Sequence, residues 1–143
     1  IDGNISLATG ISIAVGSLVL LCGDLAFLHD SNAFLLSQPK KNPLIIILID
    51  NKGGGIFKQI GIDNIYVGNI DSLFSMPQNP DPSDIAKSYN IPSRKIFSYE
   101  DLKAGIDWAM KLSGPVLLHL FTNASEDSLL RKRIVNELKK IID

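Results

Sequence analysis

Asp24, Asn51 and the glycines that follow Asn51 are the residues of this sequence best suited to oxygen-ligand chemistry. Asp24 stands behind Gly23 at the end of an uncharged apolar run, residues 17–22. Asn51 stands behind Asp50 at the end of a second such run, residues 44–49. If the two runs are neighbouring parallel strands, their C-terminal ends lie side by side. A carboxylate and an amide oxygen then converge, with Gly53-Gly54-Gly55 beside them. Hard oxygen donors at a strand–helix junction suit Mg2+ carrying a phosphorylated group. Glycines supply positive φ and let a backbone come close to a ligand. A helix that starts after Asp24 turns free N–H groups and the positive end of its dipole toward the same point, where a diphosphate is favoured.

The elements that must position these residues follow from length and pattern. A chain of 143 residues corresponds to one domain. A hydrophobic share of 45% is enough for a full core and argues against disorder. The net charge is −1, and no Lys/Arg cluster precedes the last helix, so a nucleic-acid footprint is not indicated. Cys22 is the single cysteine, which excludes an internal disulfide and a cysteine-built metal site. It reads as a small buried hydrophobe. Residues 5–23 carry no charge and have the look of a membrane span or signal core. No basic residue precedes them, however, and Gly10 and Gly16 interrupt them. A buried helix followed by a buried strand is the better reading. The chain opens on Ile1 rather than Met, in what reads as a loop feeding a helix. We therefore expect the C-terminal part of a longer protein.

In chain order, Asn4 is expected to cap a helix over residues 5–15, closed by Gly16. Residues 18–22, without polar alternation, predict a parallel strand covered on both faces. A helix is expected over residues 25–36, then a polar turn over 38–43. Residues 44–49 predict the central strand. Ile56, Phe57, Ile60 and Ile62 follow the glycine loop, and residues 61–82 form a long connection rich in proline. Ser83-Asp84 are expected to cap a short helix through Tyr89. A short strand over 95–97 precedes a helix from Ser98 to Leu112, with Glu100 and Asp101 in its first turn. Residues 115–121 predict a third apolar strand. Ser125 is expected to cap a last helix whose Arg131, Lys132, Arg133, Lys139 and Lys140 form a solvated face. The alternation predicts an α/β fold, a doubly wound, mainly parallel sheet with helices on both faces.

With these elements in place, Gly23-Asp24 and Asn51, 27 positions apart, resemble the metal- and diphosphate-binding motif of thiamine-diphosphate enzymes. More specifically, the sequence resembles the 2-succinyl-5-enolpyruvyl-6-hydroxy-3-cyclohexene-1-carboxylate synthase family. That resemblance is carried by Ile1-Asp2-Gly3, by Gly23-Asp24-Leu25 with Phe27, His29-Asp30 and Asn32, by Asn51-Lys52-Gly53-Gly54 with Ile56-Phe57, and by Met76-Pro77-Gln78-Asn79. Leu25 replaces the glycine common in the wider motif and is itself typical of this family. Asp50 replaces the first of two asparagines, at a position not expected to ligate.

The resemblance implies the C-terminal, pyrophosphate-binding domain of the enzyme, and a Mg2+- or Mn2+-dependent decarboxylating addition of 2-oxoglutarate to isochorismate. This is a step of menaquinone and phylloquinone biosynthesis. By the resemblance, Asp24, Asn51 and the Gly53 carbonyl bind the metal. Gly23, Asp24, Leu25, Ala26, Asn51 and Gly53 meet the cofactor, with Ile1 wedged under it. Ile56, Phe57 and Ile60 line the substrate pocket. The activating glutamate and the substrate-binding arginines lie upstream, outside this sequence. The implied assembly is a homodimer or homotetramer of the full-length chain, in a bacterial cytoplasm or a plastid. Neither His29, on the helix behind the motif, nor His119, inside a buried strand, is assigned to catalysis. An acetolactate-synthase-like carboligase, an oxo-acid decarboxylase and a non-catalytic α/β module are the alternative readings.

Overall fold

The computed structural model describes residues 1–36, 42–59 and 71–142. The chain divides into two units, Ile1–Asp50 with Asn79–Phe121, and Asn51–Gln78 with Thr122–Asp143.

The first unit is built on its most apolar segments. Strands β1 (Leu18–Gly23), β2 (Pro43–Asp50), β3 (Ser93–Ile96) and β4 (Gly114–Phe121) form one sheet in the order β1-β2-β4-β3, with every pairing parallel. Successive side chains of a strand point to opposite faces, and here both faces of the central strands are covered. Leu44, Ile46, Leu48 and Leu117 share one core with Ile5 of α1 (Asn4–Val15), Phe27 of α2 (Asp24–His29) and Ala86 of α4 (Pro82–Ser88). Ile45, Val116 and Leu118 share the other with Ile96 and with Ala109 of α5 (Tyr99–Ala109). This is the doubly wound α/β arrangement expected from the sequence, with β2 at the centre.

Several local expectations are corrected. Among the described residues β1 is an edge strand covered on one face only, since Val19 and Leu21 are 57% and 64% exposed. An unbroken apolar run does not reveal which of its faces the same chain covers. Asn4 is not the cap of α1. Gly3 holds that position in a left-handed conformation, and the Asn4 amide donates to the Ile1 carbonyl at 2.8 Å. The helix expected over residues 25–36 breaks at Asp30 into α2 and a 3-10 turn, Ser31–Leu36. The buried Asp30 carboxylate accepts the Ser6 N–H at 2.7 Å and the Ser6 hydroxyl at 2.8 Å. It thus caps the first turn of α1, which contains no acidic residue of its own.

Asp81, not Ser83-Asp84, caps α4, accepting the Ser83 N–H at 2.8 Å. Ser98, expected to begin the next helix, is the cap of α5, which ends at Ala109 rather than Leu112. Pro43, expected in a turn, opens β2. Residues 38–41 of that turn and residues 60–70, Ile60 and Ile62 among them, lie outside the described residues.

The second unit contains the glycine loop, α3 (Ile56–Gln59), a π-helical turn at Asp71–Ser75 and α6 (Ala124–Ile142). Asn123, not Ser125, caps α6: its side-chain oxygen accepts the N–H groups of Ser125 and Glu126 at 2.9 and 3.2 Å. The basic residues of α6 are exposed, as expected, and so are Leu129, Leu130, Ile134, Val135, Leu138 and Ile141. Among the described residues no helix is long and apolar enough to cross a membrane.

The cap supplied by Asp30 gives a direct test. Asp30→Ala leaves the Ser6 donors without their acceptor and is expected to destabilise the fold by about 1–3 kcal/mol. A lowered thermal midpoint of the full-length protein measures it, with an Asp2→Ala variant on the exposed loop as the reference.

Candidate functional site

The site residues of the first unit are set by the pairing of β1 with β2. Gly23 lies opposite Ile49, so both strands end at the same level of the sheet. Asp24 opens α2 directly after β1, and Asp50 closes β2, with Asn51 the next residue along the chain. The Asp24 side chain is buried, with only 6% of the residue exposed. Its charge is felt at Cys22, whose thiol is pushed up to about 12, first by burial and then by the Asp24 carboxylate. Leu25 and Ala26 follow on α2 and are half-buried.

The second unit holds Asn51 and the glycines. Gly53 has φ +120°, a conformation open to glycine and strained for other residues. A Cβ there would collide with the Ser75 carbonyl oxygen and stand 3.3 Å from the Pro77 nitrogen. The loop is therefore clasped by its own chain: Gly54 N–H donates to the Ser75 carbonyl at 2.6 Å. The Gly53 carbonyl accepts the Gly55 N–H at 2.9 Å, and a carbonyl oxygen can accept more than one partner. A Cβ on Gly55 would meet the Asn51 side-chain amide at 2.9 Å. The amide thus rests in a cradle that any larger residue would fill.

Among the described residues no three or more His, Cys, Asp or Glu side chains gather for a metal. Taken by themselves, the Asp24 carboxylate of the first unit and the Asn51 amide and Gly53 carbonyl of the second are hard oxygen donors, of the kind that suits Mg2+ rather than a soft metal.

Ile56 is exposed on α3. Phe57 is half-buried and packs on Phe74, ring centroids 5.5 Å apart. Ile1 is exposed, and Ile60 lies outside the described residues. His29 is exposed and borders an open hollow of about 460 Å3 with Asp2, Ser6, Asp30 and Asn32.

One cluster escaped the reading of the sequence. His119 on β4 and Asp50 on β2 are buried side by side, Nε2 to Oδ2 at 2.9 Å. The other ring nitrogen, Nδ1, is 2.8 Å from the Ser83 hydroxyl at the start of α4. Next to Ser83, Asp81 pairs with Lys95 at 2.7 Å. Burial raises the Asp81 carboxyl, but hydrogen bonds from Lys95 and the Ser83 N–H outweigh it and leave the group below its ordinary range. The signal available in the sequence was two polar residues within otherwise apolar strands, 69 positions apart.

With this geometry in place, the chain can be compared with known proteins. The family model for the C-terminal TPP-binding domain of thiamine pyrophosphate enzymes matches residues 3–120. The chain belongs to that family. This TPP-binding domain is 59% identical over 143 residues to a 2-succinyl-5-enolpyruvyl-6-hydroxy-3-cyclohexene-1-carboxylate synthase of Prochlorococcus marinus, an alignment covering 100% of the domain and 25% of that relative. It is 42% identical over 140 residues to the synthase of the same name from Synechococcus sp. (strain CC9311), covering 98% of the domain and 24% of the relative. The domain thus spans about a quarter of the length of these curated relatives.

Among solved structures it is similar to the thiamine diphosphate-dependent 4-hydroxybenzoylformate decarboxylase of Rhodococcus jostii, with TM-score 0.72 and 19% identity over 84% of the domain and 23% of that chain. Benzoylformate decarboxylase from Polynucleobacter necessarius gives TM-score 0.68 and 21% identity over 85% of the domain and 23% of that chain. At these identities the likeness concerns the fold of the TPP-binding domain.

Two outcomes test the site's construction in the full-length protein. Gly53→Ala collides with backbone that no rotamer change can relieve, and is expected to destabilise by on the order of 3 kcal/mol. Gly10→Ala, in the exposed middle of α1 with nothing near its Cβ, is expected to raise stability by roughly 1 kcal/mol. Thermal midpoints moving in opposite directions check both. The raised Cys22 thiol stays protonated at pH 8, so its alkylation by iodoacetamide, followed by peptide mass spectrometry, is expected to be on the order of 100-fold or more slower in the folded protein than in urea.

Proposed function

We propose that this TPP-binding domain supplies the metal- and diphosphate-binding half of a thiamine diphosphate site in a synthase that joins 2-oxoglutarate to isochorismate with loss of CO2. The product is 2-succinyl-5-enolpyruvyl-6-hydroxy-3-cyclohexene-1-carboxylate, on the route to menaquinone or phylloquinone. The observation that carries the reading is the 59% identity, across the whole domain, to a relative of that name.

On this reading the side chains of Asp24 and Asn51 and the carbonyl of Gly53 hold Mg2+, or Mn2+ with the same oxygen donors. The buried position of Asp24 suits the role, because a carboxylate removed from water binds a divalent ion strongly. Backbone at Gly23–Ala26 and at Asn51–Gly53 meets the diphosphate, whose negative charge the metal offsets. Ile56, Phe57 and Ile60 form an apolar wall that keeps water from the reacting carbons, and Ile1 lies under the cofactor. When bound, thiamine diphosphate supplies the electron sink for CO2 loss and for the new carbon–carbon bond, while the protein supplies position and charge. The activating glutamate comes from the upstream domain of a partner subunit, in a homodimer or homotetramer with no nucleic-acid partner and no membrane span. The compartment is a bacterial cytoplasm or a plastid.

Removing the carboxylate tests the assignment. In the full-length protein, Asp24→Ala is expected to raise the Mg2+ needed to half-saturate thiamine diphosphate binding by more than ~100-fold, beyond what loss of a group supporting a metal ligand costs. Titration calorimetry measures this, and unchanged Mg2+ dependence would remove Asp24 from the ligand set. Turnover of 2-oxoglutarate with isochorismate, and not of pyruvate, is the matching expectation for substrate.

A further inference from the structure

The Met76-Pro77-Gln78 stretch has no part in the reaction as proposed, yet within the second unit it closes on the glycine loop. Met76 holds a φ of +46°, a region that asparagine or glycine enters far more readily than methionine. The following proline adds to the cost, because it pushes the residue before it toward extended backbone. Met76 is 51% exposed, so the packing of its side chain does not force the conformation. Strain of this kind persists only where the surroundings over-determine it, and it gathers at ligand sites. Three contacts hold the segment here. The Gln78 side-chain amide donates to the Met76 carbonyl at 2.8 Å. The Ser75 carbonyl, one residue earlier, accepts the Gly54 N–H at 2.6 Å. Phe74, before that, packs on Phe57.

We propose that Met76 is a positioning residue for the Gly53 carbonyl, acting through Ser75. The inference rests on the reading of Gly53 as a metal ligand given above. The Gly53 carbonyl and the Gly54 N–H belong to one rigid peptide unit. In a trans peptide these two groups point in opposite directions, and the described residues include no cis peptide. A bond that fixes the N–H on Ser75 therefore aims the carbonyl away from Ser75. It also polarises the amide, which makes the carbonyl oxygen a stronger donor to a cation. Gly53 and Ser75 have further contacts, the Gly55 N–H on Gly53 among them, and to these the Gly54–Ser75 bond adds the direction of the peptide. The φ of Met76 is the rotation between the Ser75–Met76 peptide and the chain that follows. Moved into the ordinary negative range, it swings the Ser75 carbonyl off Gly54. The Gly54 N–H then turns toward another acceptor, and the Gly53 carbonyl turns with it. Every residue of this relay lies in the second unit. Groups that orient a metal's ligands typically change metal affinity by ~10–100-fold when lost.

The experiment titrates Mg2+ against thiamine diphosphate binding, by calorimetry, on the folded full-length protein and its variants. Met76→Val sets a β-branched side chain where φ must be positive, and is expected to raise half-saturating Mg2+ by ~10-fold or more. Met76→Asn removes the same side chain but keeps access to positive φ, and is expected to stay within ~3-fold of wild type. At saturating Mg2+, Met76→Val is expected to bind thiamine diphosphate as wild type does, which a collapsed loop would not allow. A folded Met76→Val protein with wild-type Mg2+ dependence would overturn the proposal. An equal rise in Met76→Asn would overturn it too, because the effect would then belong to the side chain and not to φ. If Met76→Val does not fold, Gln78→Leu replaces it, with a smaller rise expected in the same direction and an unchanged half-saturation again overturning the proposal. Asn51→Ala serves as the control. Wild-type Mg2+ dependence there would bring down the metal-binding reading of this loop, and this inference with it, whereas a loss there beside an unchanged Met76→Val would bring down the inference alone.

Discussion

A carboxylate in an apolar sheet must find a partner, and the end of β2 is governed by that requirement. Asp50 closes a strand that is otherwise hydrophobic, and it is buried to 2% exposure. It can stay there because β4 places His119 at hydrogen-bonding distance on the same face of the sheet. The parallel register between β2 and β4 is therefore electrostatic as well as apolar in its consequences. A slip of one residue would turn His119 to the opposite face and take its imidazole away from Asp50. The same register sets the level at which β2 stops, and with it the point where Asn51 leaves the sheet.

How much of this could be read from the residues depended on how local each cause was. The apolar runs behind β2 and β4 announced buried parallel strands, because strands covered on both faces are the usual home of such consecutive Ile and Leu residues. Gly16 and Ser98 were legible as helix ends because their effect is confined to one turn. The break at Asp30 was not legible, since its cause is Ser6, 24 positions earlier. Nor was the cap of α4: Asp81, Ser83 and Asp84 are all good capping residues, and spacing alone does not choose among them. The open face of β1 was hidden for a different reason. Val19 and Leu21 are equally apolar whatever covers them, so pattern cannot say where the cover comes from.

The candidate site divides along the same line. Asp24 and Asn51 stood out because two polar residues at the ends of two apolar runs form a pattern readable without any three-dimensional contact. His119 reads as structural from its place inside a buried strand, and it is structural. What it structures, the last residue before Asn51, lies beyond the reach of local pattern. The pair could be found only by asking which buried polar groups satisfy one another across 69 positions.

The glycine loop shows why this region tolerates so little freedom. A run of three glycines suggests flexibility, yet each of the three is tied by close approach of the chain to itself. Gly53 and Gly54 make room for the backbone at Phe74–Ser75, and Gly55 makes room for the Asn51 amide. The missing side chains are thus filled by neighbours rather than left open, and the loop gains fixed contacts where it lost Cβ atoms. A ligand site gains more from rigidity than from reach, because a donor already aimed loses less entropy on binding. On the reading proposed for this domain, the carboxylate of Asp24 is held by burial at a helix start, the amide of Asn51 by the close approach of Gly55, and the carbonyl of Gly53 by a bond to Gly55. Three different devices then serve one need, which is to keep hard oxygens from turning back toward water or toward the chain before the ion arrives.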